Sequence, residues 1–154
     1  PTLDGIDYIR RERPADYRGI EWLQQNAGPD AVVLEAVGGA YSDYGRVSSA
    51  TGLPTLLGWA NHERQWRGER YDELAGTREQ DIREIYNTLS TSRARELLEQ
   101  CGGTCVFFGW RERAPSSPPP AGIAKFDRFL TPVYQDGGVT IYRADQPRVA
   151  EEAP

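Results

Sequence analysis

The sequence is short of several residue types on which common functions depend. Its 154 residues include no methionine, one histidine (His62), one lysine (Lys125) and two cysteines. Without a starting methionine, we expect the chain to be a piece excised from a longer protein. One histidine cannot build a zincin-type metalloprotease site, which needs a second histidine on the same helix face. The sequence therefore predicts no metal ion and no cofactor.

The two cysteines leave an alternative open. Cys101 and Cys105 flank Gly102-Gly103, a spacing that matches neither zinc sites nor thioredoxin motifs. They are either two small buried side chains or, in an oxidising compartment with a suitable turn, a disulfide.

Long apolar runs and positive net charge are also missing. No stretch approaches the roughly 20 consecutive apolar residues of a membrane-spanning helix, and no basic segment before an apolar run indicates a signal peptide. Eighteen basic and 23 acidic side chains give a net charge of −5, which repels nucleic-acid phosphates. We therefore expect this piece to be soluble and to bind no nucleic acid. Solubility is also expected of an extramembrane domain cut from a membrane protein.

Helix-like and strand-like patterns alternate along the chain. A helical pattern covers residues 15–26. Another begins at Thr77, where Thr77 and Gln80 fit a capping box and Ile82, Ile85, Tyr86 and Leu89 form one stripe. Ser90 is the predicted N-cap of the next helix, which Gly102-Gly103 ends, and a short helix is expected over 124–130. The predicted strands are 31–37, 54–57, 104–108, 131–135 and 139–143, the last two joined by Asp136-Gly137-Gly138.

These elements predict an α/β layered sandwich with a partly parallel mixed sheet and a C-terminal antiparallel hairpin. Residues 1–145 are expected to form a single domain, and residues 146–154 a disordered tail. The Pro/Ser-rich stretch 114–121 is expected to be a surface loop. A second long loop, 38–52, is polar and aromatic and is the expected functional segment.

The densest group of chemically capable side chains lies between Gly58 and Gly68. Its members are Trp59, His62, Glu63, Gln65, Trp66 and Arg67. Indole rings stack on sugars, arginine binds phosphate, and carboxylates and amides accept sugar hydroxyls. The sequence predicts substrate binding here, and the alternative is that both tryptophans pack on the core beneath ion pairs.

Glu35 adds a second candidate, because a carboxylate inside a predicted buried strand must be paired, protonated or facing a cleft. At the end of that strand it would face the loop that carries Tyr41, Tyr44 and Arg46. We expect either an ion pair with Arg46 or Arg67, or contact with a ligand. Arg46, Arg64, Arg67 and Arg70 are a further candidate group for binding an anion.

Other catalytic motifs are missing. Gly38-Gly39-Ala40 lacks the glycine spacing of a dinucleotide-binding loop, and Ser48 and Ser49 lie outside a nucleophile elbow. A stand-alone hydrolase using His62 with Glu63 is a further hypothesis, weakened by this lack of a nucleophile. The sequence predicts no catalytic residue in the chain.

Beyond these local patterns, the sequence resembles a known family over nearly its whole length. The central motifs that carry the resemblance are Val33-Leu34-Glu35-Ala36, Tyr41-Ser42-Asp43-Tyr44-Gly45-Arg46-Val47-Ser48-Ser49, Thr51-Gly52-Leu53-Pro54, Leu57-Gly58-Trp59, His62-Glu63 and Gln65-Trp66-Arg67-Gly68. Shorter matches upstream and downstream are Leu3-Asp4-Gly5, Glu21-Trp22-Leu23, Asp81-Ile82, Ile85-Tyr86, Ala124-Lys125-Phe126, Phe129-Leu130, Val133-Tyr134, Gly138-Val139 and Ile141-Tyr142. They are similar to the Chlor_Arch_YYY proteins, large multi-spanning membrane proteins that look like members of the C-type glycosyltransferase superfamily. The Pro-rich insert 115–120 and the two cysteines depart from the pattern.

The resemblance implies a C-terminal soluble domain on the extracytoplasmic face of the cell membrane. The parent protein would transfer sugar from a lipid-linked donor, with its catalytic residues in the membrane part. This piece would be inactive alone. Its expected partners are its own transmembrane region and a lipid-linked sugar or glycan acceptor. The alternative is a structural or protein-interaction module with no ligand site.

Overall fold

A computed structural model describes residues 5–114 and 121–144 of the chain. The predicted tail 146–154 and most of the Pro/Ser-rich stretch lie outside these residues. The helices are α1 (Gly5–Glu12), α2 (Pro14–Asn26), α3 (Arg46–Thr51), α4 (Ala60–Arg67), α5 (Arg70–Ala75), α6 (Arg78–Asn87), α7 (Thr91–Cys101) and α8 (Ala121–Ala124). The strands are β1 (Val33–Leu34), β2 (Cys105–Phe108), β3 (Thr131–Asp136) and β4 (Val139–Arg143).

Within the described residues, four strands form one mixed sheet in the order β1-β2-β4-β3. The β1 and β2 strands are parallel, with Val33 opposite Cys105. The β4 strand runs antiparallel to both β2 and β3, and the turn of the β3-β4 hairpin contains Gly137 and Gly138, both at positive φ. This arrangement confirms the predicted α/β class, the partly parallel sheet and the C-terminal hairpin.

Helices cover both faces of the sheet, so the core has two parts. Alternate residues of β2 point to opposite sides: Phe107 packs with Ile20 and Leu23 of α2, whereas Phe108 packs with residues of α6 and α7. All four side chains of β2 are buried, which confirms the predicted buried strand. The result is a layered sandwich.

Local capping signals fix several helix ends. Pro14 occupies the first turn of α2, where a missing N–H costs nothing. The Ser90 side chain accepts a hydrogen bond from the Arg93 N–H, and Gly102 ends α7 in a left-handed conformation, as predicted. The predicted capping by Thr77 is wrong, because its side chain makes no cap bond.

The only lysine also serves a helix end. Lys125 is buried, and its Nζ donates a 2.8 Å hydrogen bond to the Tyr86 carbonyl in the last turn of α6. Burial lowers the pKa of this amine to about 8.

Other sequence predictions need correction. The ladder of β1 covers two residues rather than all of 31–37, and residues 54–57 contribute a single bridge between Thr55 and Val33. Leu89 is exposed rather than part of the buried stripe. The loop 38–52 contains α3, and the helix expected over 124–130 is a 3-10 turn, Phe126–Arg128, preceded by α8.

Of the two alternatives for the cysteines, the structure has no disulfide: Cys101 and Cys105 are both free thiols. In residues 5–114 and 121–144, no helix has the length and apolar content needed to cross a membrane.

Candidate functional site

A buried group of charges lies beneath the 38–52 segment. The Arg46 guanidinium donates from Nε to Asp16 at 2.7 Å and from Nη2 to Glu112 at 2.8 Å. All three side chains are buried, with relative exposures of 6%, 2% and 1% for Arg46, Asp16 and Glu112. This buried ion group joins the start of α3 to α2 and to the segment after β2.

Glu112 also determines where the two parallel strands stop. Its carboxylate accepts the N–H of Ala36 at 2.9 Å and the N–H of Gly109 at 2.9 Å. These donors follow the last residues of β1 and β2, so a side chain replaces the next backbone partner. That replacement is the physical reason why the predicted strand 31–37 ends after Leu34.

Glu35 holds the N-terminus of α3. Its two carboxylate oxygens accept the N–H groups of Val47 at 2.9 Å and Ser48 at 2.8 Å. The predicted ion pair of Glu35 with Arg46 or Arg67 is therefore wrong, since Arg46 pairs as described above and Arg67 pairs with Glu63. A carboxylate at a helix N-terminus satisfies free N–H groups and favours the helix dipole.

The three buried carboxyl groups differ in their pKa. Burial raises the pKa of Glu35, and the N–H donors and Arg46 only partly oppose it. Burial also raises the pKa of Asp16 against the pull of Arg46. Burial opposes ionisation of Glu112 as well, but Arg46 and the two N–H donors outweigh it and hold its pKa below the usual range.

Above this group, three rings meet at the surface: Tyr41, Trp59 and His62, here called the aromatic cluster. The ring centroids of Tyr41 lie 5.4 Å from Trp59 and 4.7 Å from His62, and those of Trp59 and His62 lie 5.4 Å apart. Tyr41 has a φ of 56° and is 81% exposed. A non-glycine residue at positive φ is costly, and such residues gather at functional sites.

Tyr44 connects the aromatic cluster to the buried residues. Its carbonyl accepts the Trp59 Nε1–H at 2.6 Å, which fixes the indole. Its own ring packs on Gly38, where a Cβ would overlap the ring, and the Arg111 guanidinium lies 4.4 Å from the ring centroid. The predicted residues of the two segments therefore meet through Tyr41, Tyr44, Trp59 and His62.

The rest of the Gly58–Gly68 group lies on α4. Glu63 accepts the Gly58 N–H at 2.7 Å and pairs with Arg67 at 3.1 Å. Gln65 is exposed, and Trp66, which lies outside the aromatic cluster, is 85% exposed. No residue of α4 is buried.

The proposed anion-binding group of four arginines is wrong for Arg46. Its guanidinium is buried in ion pairs and is separated from solvent. Arg64 lies 3.6 Å from Asp72, and the Arg67 guanidinium pairs with Glu63.

Sequence reasoning missed Asp16, Glu112 and Arg111. Asp16 lies within an amphipathic helical pattern and Glu112 within a charged stretch after β2, so neither differs locally from a surface acid. Only the placement of Arg46 between them shows their role. Among the described residues, no group of three or more His, Cys, Asp or Glu side chains is arranged to hold a metal ion.

Chemically, the site consists of a buried ion group and the exposed aromatic cluster. The buried carboxylates are occupied by hydrogen bonds, whereas the aromatic cluster offers ring faces and polar groups to a ligand. No family model matches the sequence, and a comparison with curated proteins returns no match. The family resemblance therefore stays a prediction.

Proposed function

We propose that the chain is an accessory, substrate-binding domain of an integral membrane glycosyltransferase that uses a lipid-linked sugar donor. It would lie on the extracytoplasmic face against its own membrane-spanning region and carry no catalytic residue itself. The resemblance of residues 33–68 to such proteins supports this proposal.

The observation that carries the proposal is the aromatic cluster. Tyr41 has a positive φ, which is costly for a non-glycine residue, and it is 81% exposed. Trp59 is fixed by its bond to the Tyr44 carbonyl. Rigid aromatic faces beside polar groups suit stacking on sugar rings, because little conformational freedom is lost on binding.

A titration of the isolated chain tests the proposal. The four tryptophan indole N–H signals are followed by NMR while hexoses, and then a polyprenyl phosphate sugar in detergent micelles, are added. We expect a saturable shift of the Trp59 signal that Tyr41→Ala removes. Tyr8→Ala is the matched control, because Tyr8 is an exposed tyrosine on α1. Absence of any saturable Trp59 shift would contradict the proposal.

A second candidate is a structural or protein-interaction module of a membrane protein, with no ligand site. The observation that favours it is α4, whose Trp66 is 85% exposed and which has no buried residue. Indole groups favour the interface between water and lipid. This candidate predicts that sugar-free micelles shift the Trp66 signal while sugars leave Trp59 unchanged.

A further inference from the structure

A cavity lies at the N-terminus of α2, apart from the aromatic cluster. Its volume is about 310 Å³, and its walls include Arg13, Trp110, Arg113 and the Gly137-Gly138 turn. Small-molecule sites start at about this size, so the cavity suits a compact ligand.

Two guanidinium groups, those of Arg13 and Arg113, line the cavity. Arg13 stacks 4.2 Å from the Trp110 ring centroid and donates to the Glu12 carbonyl at 2.7 Å. Arg113 donates to the Gly138 carbonyl at 2.6 Å and lies 4.5 Å from the Phe108 ring centroid. In the part of the chain that the structure describes, neither arginine forms a salt bridge.

Two acidic residues also line the cavity, and neither forms an ion pair with Arg13 or Arg113 within the described residues. Asp16 is 2% exposed, and its oxygens accept hydrogen bonds from Arg46 and from the Trp110 N–H. Glu12 also lines the cavity, with an exposed side chain.

Unsatisfied donors gather on the same side. The Arg13 Nε and the Trp110 Nε1 are buried and have no hydrogen-bond acceptor among the described residues. A buried donor without an acceptor costs about 1–3 kcal/mol. Arg13 is also the N-cap of the 13-residue helix α2 and makes no side-chain cap bond, so the positive end of the helix dipole adds to the two guanidinium charges.

We propose that this cavity binds a phosphate group between the guanidinium groups of Arg13 and Arg113. Arginine pairs with phosphate through parallel N–H donors, and the charge of a phosphate dianion matches that of the two guanidinium groups. The proposal stands apart from the sugar-binding proposal, because it uses none of the residues of the aromatic cluster.

The test is a titration of the chain with inorganic phosphate, with sodium chloride at equal ionic strength as the reference. The Trp110 indole N–H signal, identified by its loss in Trp110→Phe, is the readout. We expect a saturable shift with phosphate and none with chloride. Arg13→Gln and Arg113→Gln should each weaken phosphate binding about tenfold or more.

Arg83→Gln is the matched control, because Arg83 is exposed on α6 and pairs with Glu79, and it should leave the affinity unchanged. Circular dichroism checks that each variant is folded. If Arg113→Gln fails to fold, Arg13→Gln alone decides, since the Arg13 guanidinium donates a single hydrogen bond within the described residues, to the Glu12 carbonyl. No saturable shift, an equal shift with chloride, or unchanged affinity in folded Arg13→Gln would each overturn the proposal.

Discussion

Helices α3 and α4 are short, follow one another in the sequence, and each contain an arginine in an ion pair. The ion pairs of α3 are buried, and that of α4 lies at the surface. In α3, Arg46 is buried between two carboxylates and Glu35 holds the N-terminal N–H groups. In α4, Arg67 pairs with Glu63 at the surface, and no residue is buried. The comparison shows that buried ion pairs and hydrogen bonds anchor α3 to the core, whereas α4 lies at the surface with no buried residue.

Removing one ion-paired arginine from each helix, Arg46 from α3 and Arg67 from α4, tests this difference most strongly. Arg46→Ala leaves two buried carboxylates without their cation, and should lower the free energy of unfolding by about 3–5 kcal/mol. Arg67→Ala is the matched control and should cost less than about 1 kcal/mol, because exposed ion pairs are screened. Urea unfolding of both variants gives the values. Similar losses at the two positions would break the comparison.

The glycines before α3 provide a second test, on packing rather than charge. A Cβ at Gly38 would overlap the Tyr44 ring, whereas nothing lies within 4 Å of a Cβ at Gly39. We expect Gly38→Ala to cost about 1–3 kcal/mol, because the ring must move. Gly39→Ala should stay within about 0.5 kcal/mol. Thermal unfolding compares them, and an equally mild Gly38→Ala would show that Tyr44 is not fixed.

Two buried carboxyl groups near α3 should respond to pH in opposite directions. Burial opposes ionisation of Glu112, but Arg46 and the N–H donors lower its pKa below that of the unfolded chain. Its contribution to stability is therefore present above about pH 4.3 and is lost as pH falls through the lowered pKa. Burial raises the pKa of Glu35, so its contribution is complete below about pH 4.3 and is lost as pH rises through the raised pKa.

The variants Glu112→Gln and Glu35→Gln test the opposite pH dependences of these two carboxyl groups. As pH falls from 7 to 3, the stability gap between the original chain and Glu112→Gln should narrow, and the gap to Glu35→Gln should widen. Each unit of pKa difference is worth about 1.4 kcal/mol. Urea unfolding at several pH values measures both gaps, with Glu79→Gln as the control, because Glu79 is partly exposed on α6. Gaps that move in the same direction would contradict the assignment.

The sequence is informative wherever a feature depends on neighbouring residues. The α2 pattern, the Ser90 cap, the buried strand β2 and the glycine turn of the hairpin all follow from local signals. The length of β1 does not follow from local signals, because the Ala36 N–H donates to the carboxylate of Glu112, 76 residues away.

The candidate site divides in the same way. The local sequence of Gly58–Gly68 is enough to predict a group of aromatic and charged side chains there. The partners of Arg46 cannot be predicted in this way, since Glu112 is 66 and Asp16 is 30 residues away. Long-range pairing of buried charges leaves no periodic signal in the sequence, which is why the predicted ion pair of Glu35 is wrong.

Trp66 gives the smallest expected change in stability. Its side chain is 85% exposed, so Trp66→Ala should alter the free energy of unfolding by no more than about 0.5 kcal/mol. The matched variant is Trp22→Ala on α2, whose ring lies 5.6 Å from Tyr134 and packs against the core, and it should cost about 2 kcal/mol. If Trp66→Ala is as costly as Trp22→Ala, α4 is held by its own packing. If Trp66→Ala leaves the free energy of unfolding unchanged but removes the response to micelles, the exposed face of α4 contributes to binding and not to folding. The arginine of α3, by contrast, contributes to folding.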